Sequence, residues 1–241
     1  MTRIGVARNI LLETDPCAVD CVILPADVED WSLLDHCGVR NALERDGWRF
    51  VAAGDWAVVL GDPTGRYAAR ISPFERAYQY FVELCRRHPG NRWLPTIHAA
   101  TDLAGGGHLT VMELLIPRQI PDDDHPDPVW SSDEPDLATV RADVERTFSD
   151  CKTSVPWWGS LDVKPAHFLL DSEGQLKLVD PFGLAGAELY GLAESDYPSF
   201  CKLVPTEERR YMLQIPHFSQ SYAAPQLRTL QAVIRAHDDA K

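Results

Sequence analysis

The sequence predicts an α+β chain, with an antiparallel sheet in the first half and a mostly helical second half, folded as one structural domain. Three observations lead there. Residues 48–72 read as three short apolar strands separated by turn residues, the pattern of a meander. The segment 72–88 carries apolar residues at three- and four-residue steps, the spacing of one helix face, and a further helix is expected at about 136–153. Of the 241 residues 45% are apolar and 24% charged, which is ordinary globular usage and excludes a disordered, collagenous or coiled-coil chain.

The elements follow in order. Residues 1–46 read as a helical extension: Val28, Trp31 and Leu34, then Val39 and Leu43, recur at helical steps, and Gly38 is expected to separate a pair of short helices. A short apolar stretch from Cys21 to Leu24 stops at Pro25. The sheet-rich unit spans 47–116. Two strands lie either side of Ala53, Gly54 and Asp55; a turn at 62–65 leads to a third strand from Arg66 to Ser72. Ser72 is expected to cap a helix with Pro73 at its first position, carried by Phe74, Ala77, Tyr78, Phe81, Leu84 and Cys85. Strands from Thr96 to Ala100 and from His108 to Leu115 follow, joined by the glycines at 105–107. Residues 117–136 hold five prolines and seven acidic residues and read as a solvated, charged loop. The last unit, 137–241, holds a helix to about 153, a strand from Phe168 to Leu170, a turn at 172–174, a strand from Leu176 to Val179, and helices broken by Pro198, Pro205, Pro216 and Pro225.

Charge and composition remove several classes. The net charge is -13, from 36 acidic and 23 basic residues, which argues against a nucleic-acid or anionic-membrane surface because phosphate contacts need clustered Lys and Arg. No apolar run approaches membrane-spanning length, and the N-terminal segment lacks the apolar core of a signal peptide. The six cysteines, at 17, 21, 37, 85, 151 and 201, form no CxxC or zinc-site spacing, so a reducing cytoplasm is the expected compartment. There is no P-loop, G-x-G-x-x-G, G-x-S-x-G or H-E-x-x-H motif.

The segment that carries chemistry is Asp162, Lys164, Pro165 and His167, then a hairpin, then Asp180, Pro181, Phe182 and Gly183. A carboxylate on each side of a tight hairpin places two anionic groups at one end of it. Phosphoryl transfer needs such an arrangement: a carboxylate to orient an acceptor hydroxyl, and cations between the phosphates. Taken singly these motifs are those of an ordinary hairpin with charged flanks; their joint spacing is what carries information. Trp157 and Trp158, just before the loop, are a pair of the kind more often found in a core.

The segment resembles the catalytic core of the protein-kinase-like superfamily, in which H-R-D-L-K-P-x-N is followed by a hairpin and D-F-G. The resemblance covers residues 48 to about 185. Its form is nearest to small bacterial or phage kinase-like proteins, with aminoglycoside phosphotransferases as distant relatives. It implies a two-lobed fold with an antiparallel-sheet N-lobe and a shortened helical C-lobe, using ATP and Mg²⁺. By that resemblance Asp162 is the catalytic carboxylate and Lys164 stabilises the transferring phosphoryl group. Asp180 and His167 hold metal, His167 standing where the family has Asn. Arg70 takes the place of the strand-three Lys that grips the phosphates, braced by Glu83 in preference to Glu75. Gly54 belongs to a reduced glycine strap, Met112 is the gatekeeper, and the backbones of Glu113 and Leu115 meet adenine.

The chain departs from the family at Arg70, at His167, and at Ser160 and Leu161, which replace the His-Arg pair; Asp55 sits in the strap, and no A-P-E segment follows Gly183. Two expectations follow. The first is an ATP- and Mg²⁺-dependent phosphotransferase acting on a hydroxyl of a small molecule or protein. The alternative is a pseudokinase that binds nucleotide or a protein partner without transfer.

Overall fold

The computed structural model describes residues 24–119, 128–220 and 224–238. Cys17, Cys21 and most of the apolar stretch ending at Leu24 lie outside them. A 3-10 turn at Trp31–Leu33 leads into α1 (His36–Arg45), whose N-terminus is capped by Asp35, with Oδ1 accepting the Gly38 N–H at 2.8 Å. Gly38 therefore lies inside α1 rather than between two helices; the break falls at Leu34 and Asp35, because the cap satisfies an otherwise orphaned helix donor there.

The sheet consists of β1 (Arg49–Ala53), β2 (Val58–Gly61), β3 (Tyr67–Ser72), β4 (Ile97–Asp102) and β5 (His108–Glu113), antiparallel in the order β1-β2-β3-β5-β4. The chain is thus α+β, with a five-stranded antiparallel sheet. Strand alternation sorts β3 to two faces. Ala69 and Ile71 pack with Val39, Leu43, Trp48, Leu60, Leu109 and Val111 under α1. Ala68 faces the opposite cluster, with Tyr78, Phe81, Leu84 and Met112, and Arg70, two residues on, shares that face.

The second helix, α2, runs Tyr78–Arg87, five residues later than the sequence suggests. Ser72 stays in β3, and its hydroxyl lies 2.8 Å from the carbonyls of Trp56 and Phe74. Residues 73–77 instead bury Phe74 completely against the C-terminal helices and turn Glu75 inward. Burying a Phe side chain is worth about 1.5–3 kcal/mol, enough to outweigh one extra turn of helix. Glu75 Oε1 then accepts the N–H groups of Ala77 (3.1 Å) and Tyr78 (3.2 Å), doing what Ser72 was expected to do.

Beyond β5 the chain reaches α3 (Pro135–Cys151), capped by Glu134, whose carboxylate accepts the Leu137 N–H at 2.9 Å. The acidic segment is therefore structural at its C-terminal end: Glu134 is a cap, and Trp130 is buried, its carbonyl accepting from Arg141. Residues 120–127 lie outside the described residues. Two short pairs follow, β6 (Trp158–Leu161) with β9 (Phe182–Leu184), and β7 (Phe168–Leu170) with β8 (Leu176–Leu178). The helices α4 (Gly186–Ser195), α5 (Tyr197–Leu203), α6 (Thr206–Arg209), α7 (Pro216–Gln220) and α8 (Ala224–Asp238) complete the chain. Their apolar faces gather around Leu189, Tyr190, Phe200 and Leu230, joined by Phe74 from the sheet half. Among the described residues no helix is long and apolar enough to cross a membrane.

Candidate active site

Three hydrogen-bonded junctions place the motif residues together. Ile116 and Leu170 exchange backbone hydrogen bonds, both 2.8 Å, and seat β7 beside the end of β5. Leu161 pairs with Phe182, and the Asp162 N–H donates to the Pro181 carbonyl at 2.9 Å, so Asp162 and Asp180 emerge at the same end of the hairpin. The Val179 N–H donates to the His167 carbonyl at 2.8 Å and ties the second strand back to the loop. Asp180 adopts φ +48°, a left-handed conformation that costs a non-glycine residue about 1–3 kcal/mol and concentrates at functional sites.

These residues line a cavity of about 430 Å³ between the sheet and the hairpins. Its apolar walls come from Val59, Ala68, Met112, Leu115, Leu169 and Val179, and Asp162, Lys164, His167, Asp180, Arg70 and Glu75 converge on the other end. A slot of this size, apolar with a few convergent polar groups, is the usual form of a small-molecule site.

Arg70 is held on three sides in the cleft. Its side chain is 10% exposed, and Nη1 donates to Glu75 Oε2 at 2.9 Å. Its Cζ lies 3.6 Å from the centroid of the Tyr78 ring, and Nη2 lies 3.7 Å from Asp180 Oδ2. The expected brace, Glu83, does not reach it. Glu83 is 58% exposed on the outer face of α2, 3.9 Å from Arg87. The brace is Glu75. In the sequence Glu75 reads as an acidic residue favouring a helix N-terminus; the shift of α2 by five residues turns the carboxylate inward.

The charges perturb one another. Burial alone would raise the Glu75 carboxyl, but the Arg70 guanidinium and the N–H groups of Ala77 and Tyr78 outweigh it and hold it below the usual carboxylate range. At Asp180 burial prevails: the carboxyl lies above its ordinary value, with Arg70 opposing and Glu75 and Asp162 reinforcing the shift. Even so, 33% of the Asp180 side chain is open.

Lys164 Nζ lies 3.1 Å from Asp162 Oδ2. His167 Nδ1 lies 2.6 Å from the Asp162 carbonyl, an acceptor, so this nitrogen donates its hydrogen there, and Nε2 lies 3.7 Å from Asp162 Oδ2. His167 thus braces the loop. The ligand atoms of His167, Asp162 and Asp180 do not gather within 4.8 Å of one another. The one such group among the described residues is Asp35, His36 and Cys37, at the start of α1, where Asp35 already accepts from Gly38 and from the Tyr211 hydroxyl.

At the other end of the cleft, Met112 is buried beneath the Tyr78 hydroxyl, 3.9 Å from its sulfur. The Glu113 carboxylate points away, accepting the Thr96 N–H at 2.8 Å with Lys177 at 3.6 Å. The N–H groups of Leu114 and Ile116 are engaged by Arg66 and Leu170, both at 2.8 Å, while Leu115 between them lines the cleft. Gly54 also lines it, in a turn closed by its N–H on the Ala57 carbonyl at 3.0 Å; a Cβ there would meet nothing, so the backbone does not demand glycine. Trp157 and Trp158 pack against Phe200 and Phe182 respectively. Tyr78, Trp56 and Lys177 are not singled out by the sequence; each is an aromatic or basic residue whose local pattern reads as core or surface.

No protein-family model and no curated protein matches the chain. Among solved structures, an aminoglycoside phosphotransferase from Streptomyces rimosus is similar over 83% of this chain and 98% of its own, at 12% identity and a TM-score of 0.32.

Proposed function

We propose that the cleft binds a nucleoside triphosphate and transfers its terminal phosphoryl group to a hydroxyl acceptor, within a two-lobed kinase-like fold. The observation that carries this reading is the convergence of Asp162 and Lys164, Asp180, and the Arg70–Glu75 pair on one end of an apolar slot. The base lies between Ala68, Met112 and Leu169, with the backbone of Glu113 and Leu115 as its polar edge. Arg70 and Lys164 face the phosphates. Asp162 orients the acceptor O–H for in-line attack on the terminal phosphorus and receives its proton. The new bond is O–P, and the broken bond releases the nucleoside diphosphate.

The residues fit one Mg²⁺. This ion takes oxygen ligands and is commonly held by one or two carboxylates plus the phosphates themselves, and the exposed portion of Asp180 meets that need. His167, a nitrogen donor in a loop-bracing position, is a poor partner for it. When bound, the ion neutralises phosphate charge. Asp180 holds it, and Arg70 limits the repulsion between Asp180 and Glu75.

A second reading, a nucleotide-binding module without transfer, is favoured by one observation: Arg70 is already engaged by two carboxylates. Thermal unfolding with ATP, with and without Mg²⁺, tests the first step. Ligand at a hundred times its Kd stabilises by about 2.7 kcal/mol. A Mg²⁺-dependent rise that Asp180→Asn abolishes supports the reading, and release of ADP in the presence of candidate acceptors separates transfer from binding alone. No rise at millimolar ATP refutes both.

A further inference from the structure

The segment joining β1 to β2 crosses from the sheet half and is fastened to the helical half. The Trp56 ring stacks on Tyr190 at 6.3 Å and lies 6.4 Å from Phe74. It fits over Gly186, where an added Cβ would stand 3.2 Å from the indole. The neighbouring Asp55 carbonyl accepts the His217 N–H at 2.9 Å, and Asp55 Oδ1 lies 3.3 Å from His217 Nδ1. Gly54, Asp55, Trp56 and Ala57 at the same time line the cleft together with Asp162 and Gly183. One wall of the cavity is thus a strap pinned at its far side by α4 and α7.

The two halves are also joined elsewhere, away from the cavity. The Tyr211 hydroxyl donates to Asp35 Oδ2 at 2.7 Å, and Arg76 pairs with Glu208. The turn at 105–106 approaches so closely that a Cβ on Gly106 would fall on the Glu208 carbonyl. Glycine is required there both by this contact and by φ +92°. Hinging the halves apart would break the salt bridge, the Tyr211 bond and this backbone packing together. Hinging would also pull the fully buried Phe74 out of the C-terminal cluster, whereas releasing the strap breaks the Asp55–His217 contacts and the packing of the Trp56 ring on Tyr190, Phe74 and Gly186.

We propose that the strap at 54–57 is a latch, and that ligand exchange in the cleft proceeds by its release from α4 and α7 rather than by hinging of the two halves. This rests on the nucleotide reading above for the ligand, but the latch itself is a property of the fold. It makes Trp56 and His217 determinants of exchange rate, acting on association and dissociation together.

Two measurements on the full chain test it. Amide hydrogen exchange, without ligand, reads the latch directly. In His217→Ala and in Gly186→Ala, whose methyl crowds the indole, residues 54–57 should exchange about twofold to fivefold faster, the range set by one exposed pair; β2 and β3 should be unchanged. Stopped-flow binding of a fluorescent ATP analogue reads its consequence: both rate constants should rise by a similar factor in the two variants, with Kd altered less. Tyr211→Phe, which loosens the other junction, should leave both rates as they are. Strap exchange unaltered in both latch variants would overturn the latch. Faster analogue binding in Tyr211→Phe alone would overturn it in favour of hinging. Absence of analogue binding in every protein, with strap exchange still faster in the latch variants, would refute the nucleotide reading and leave the latch standing.

Discussion

Replacing Arg70 by Met should be among the most damaging single changes in the cleft, because of what it leaves behind. The Glu75 side chain is 5% exposed and the Arg70 side chain 10%. Removing the guanidinium strands a buried carboxylate beside Asp180, and breaking one side of such a pair costs about 3–5 kcal/mol. For a chain of this size each kcal/mol moves the midpoint by about 2–4 °C, so the loss should be about 6–20 °C. The double variant Arg70→Met/Glu75→Gln removes both charges and should recover most of it. Glu83→Gln is the control: a 58% exposed carboxylate 3.9 Å from Arg87 should change stability by less than about 0.5 kcal/mol. Thermal and urea unfolding at pH 7 measure all three. A loss below about 1 kcal/mol in Arg70→Met, or a double variant no more stable than the single, refutes the buried-pair argument. A larger loss in Glu83→Gln than in Glu75→Gln would return the brace to Glu83.

Three other outcomes follow. Asp180→Asn should raise the midpoint at pH 7: the carboxyl lies above its ordinary value of 3.8, so it favours the fold when protonated and that contribution is lost as pH rises through the folded value. The gain should vanish below pH 3.8, and a midpoint that falls at pH 7 would contradict it. Glu75 has the opposite sign, its carboxyl being held below 4.5, so its contribution is present above that value and is lost as pH falls through the folded one; Glu75→Gln should flatten the acid limb of a stability–pH curve. Trp130→Ala should cost about 3–5 kcal/mol in urea unfolding, as befits a core side chain; a near-neutral result would return this segment to the solvated loop.

The strand pattern of 48–72 placed β1, β2 and β3 nearly to the residue, because short apolar runs bounded by turn residues mark strands locally. The hairpin from Phe168 was legible for the same reason. The joint spacing of Asp162, Lys164 and Asp180 likewise needed only sequence, since a short hairpin fixes the distance between its own ends. The register of α2 was not legible. Ser72, Pro73 and Glu75 satisfy every local rule for a helix start, and the helix begins later because Phe74 is claimed by a cluster of residues more than a hundred positions away. That one displacement decides which carboxylate meets Arg70.

The sequence by itself determined the element types, the sheet-then-helix order and the pair of carboxylates flanking a hairpin, all of which rest on contacts between near neighbours in the chain. Only the tertiary structure decided that Glu75 rather than Glu83 braces Arg70, that His167 braces the loop, and that Tyr190 and His217 of the C-terminal helices fasten the segment joining β1 to β2. Those depend on which surfaces the sheet and the C-terminal helices bury against each other, and burial between distant segments has no local periodicity to read.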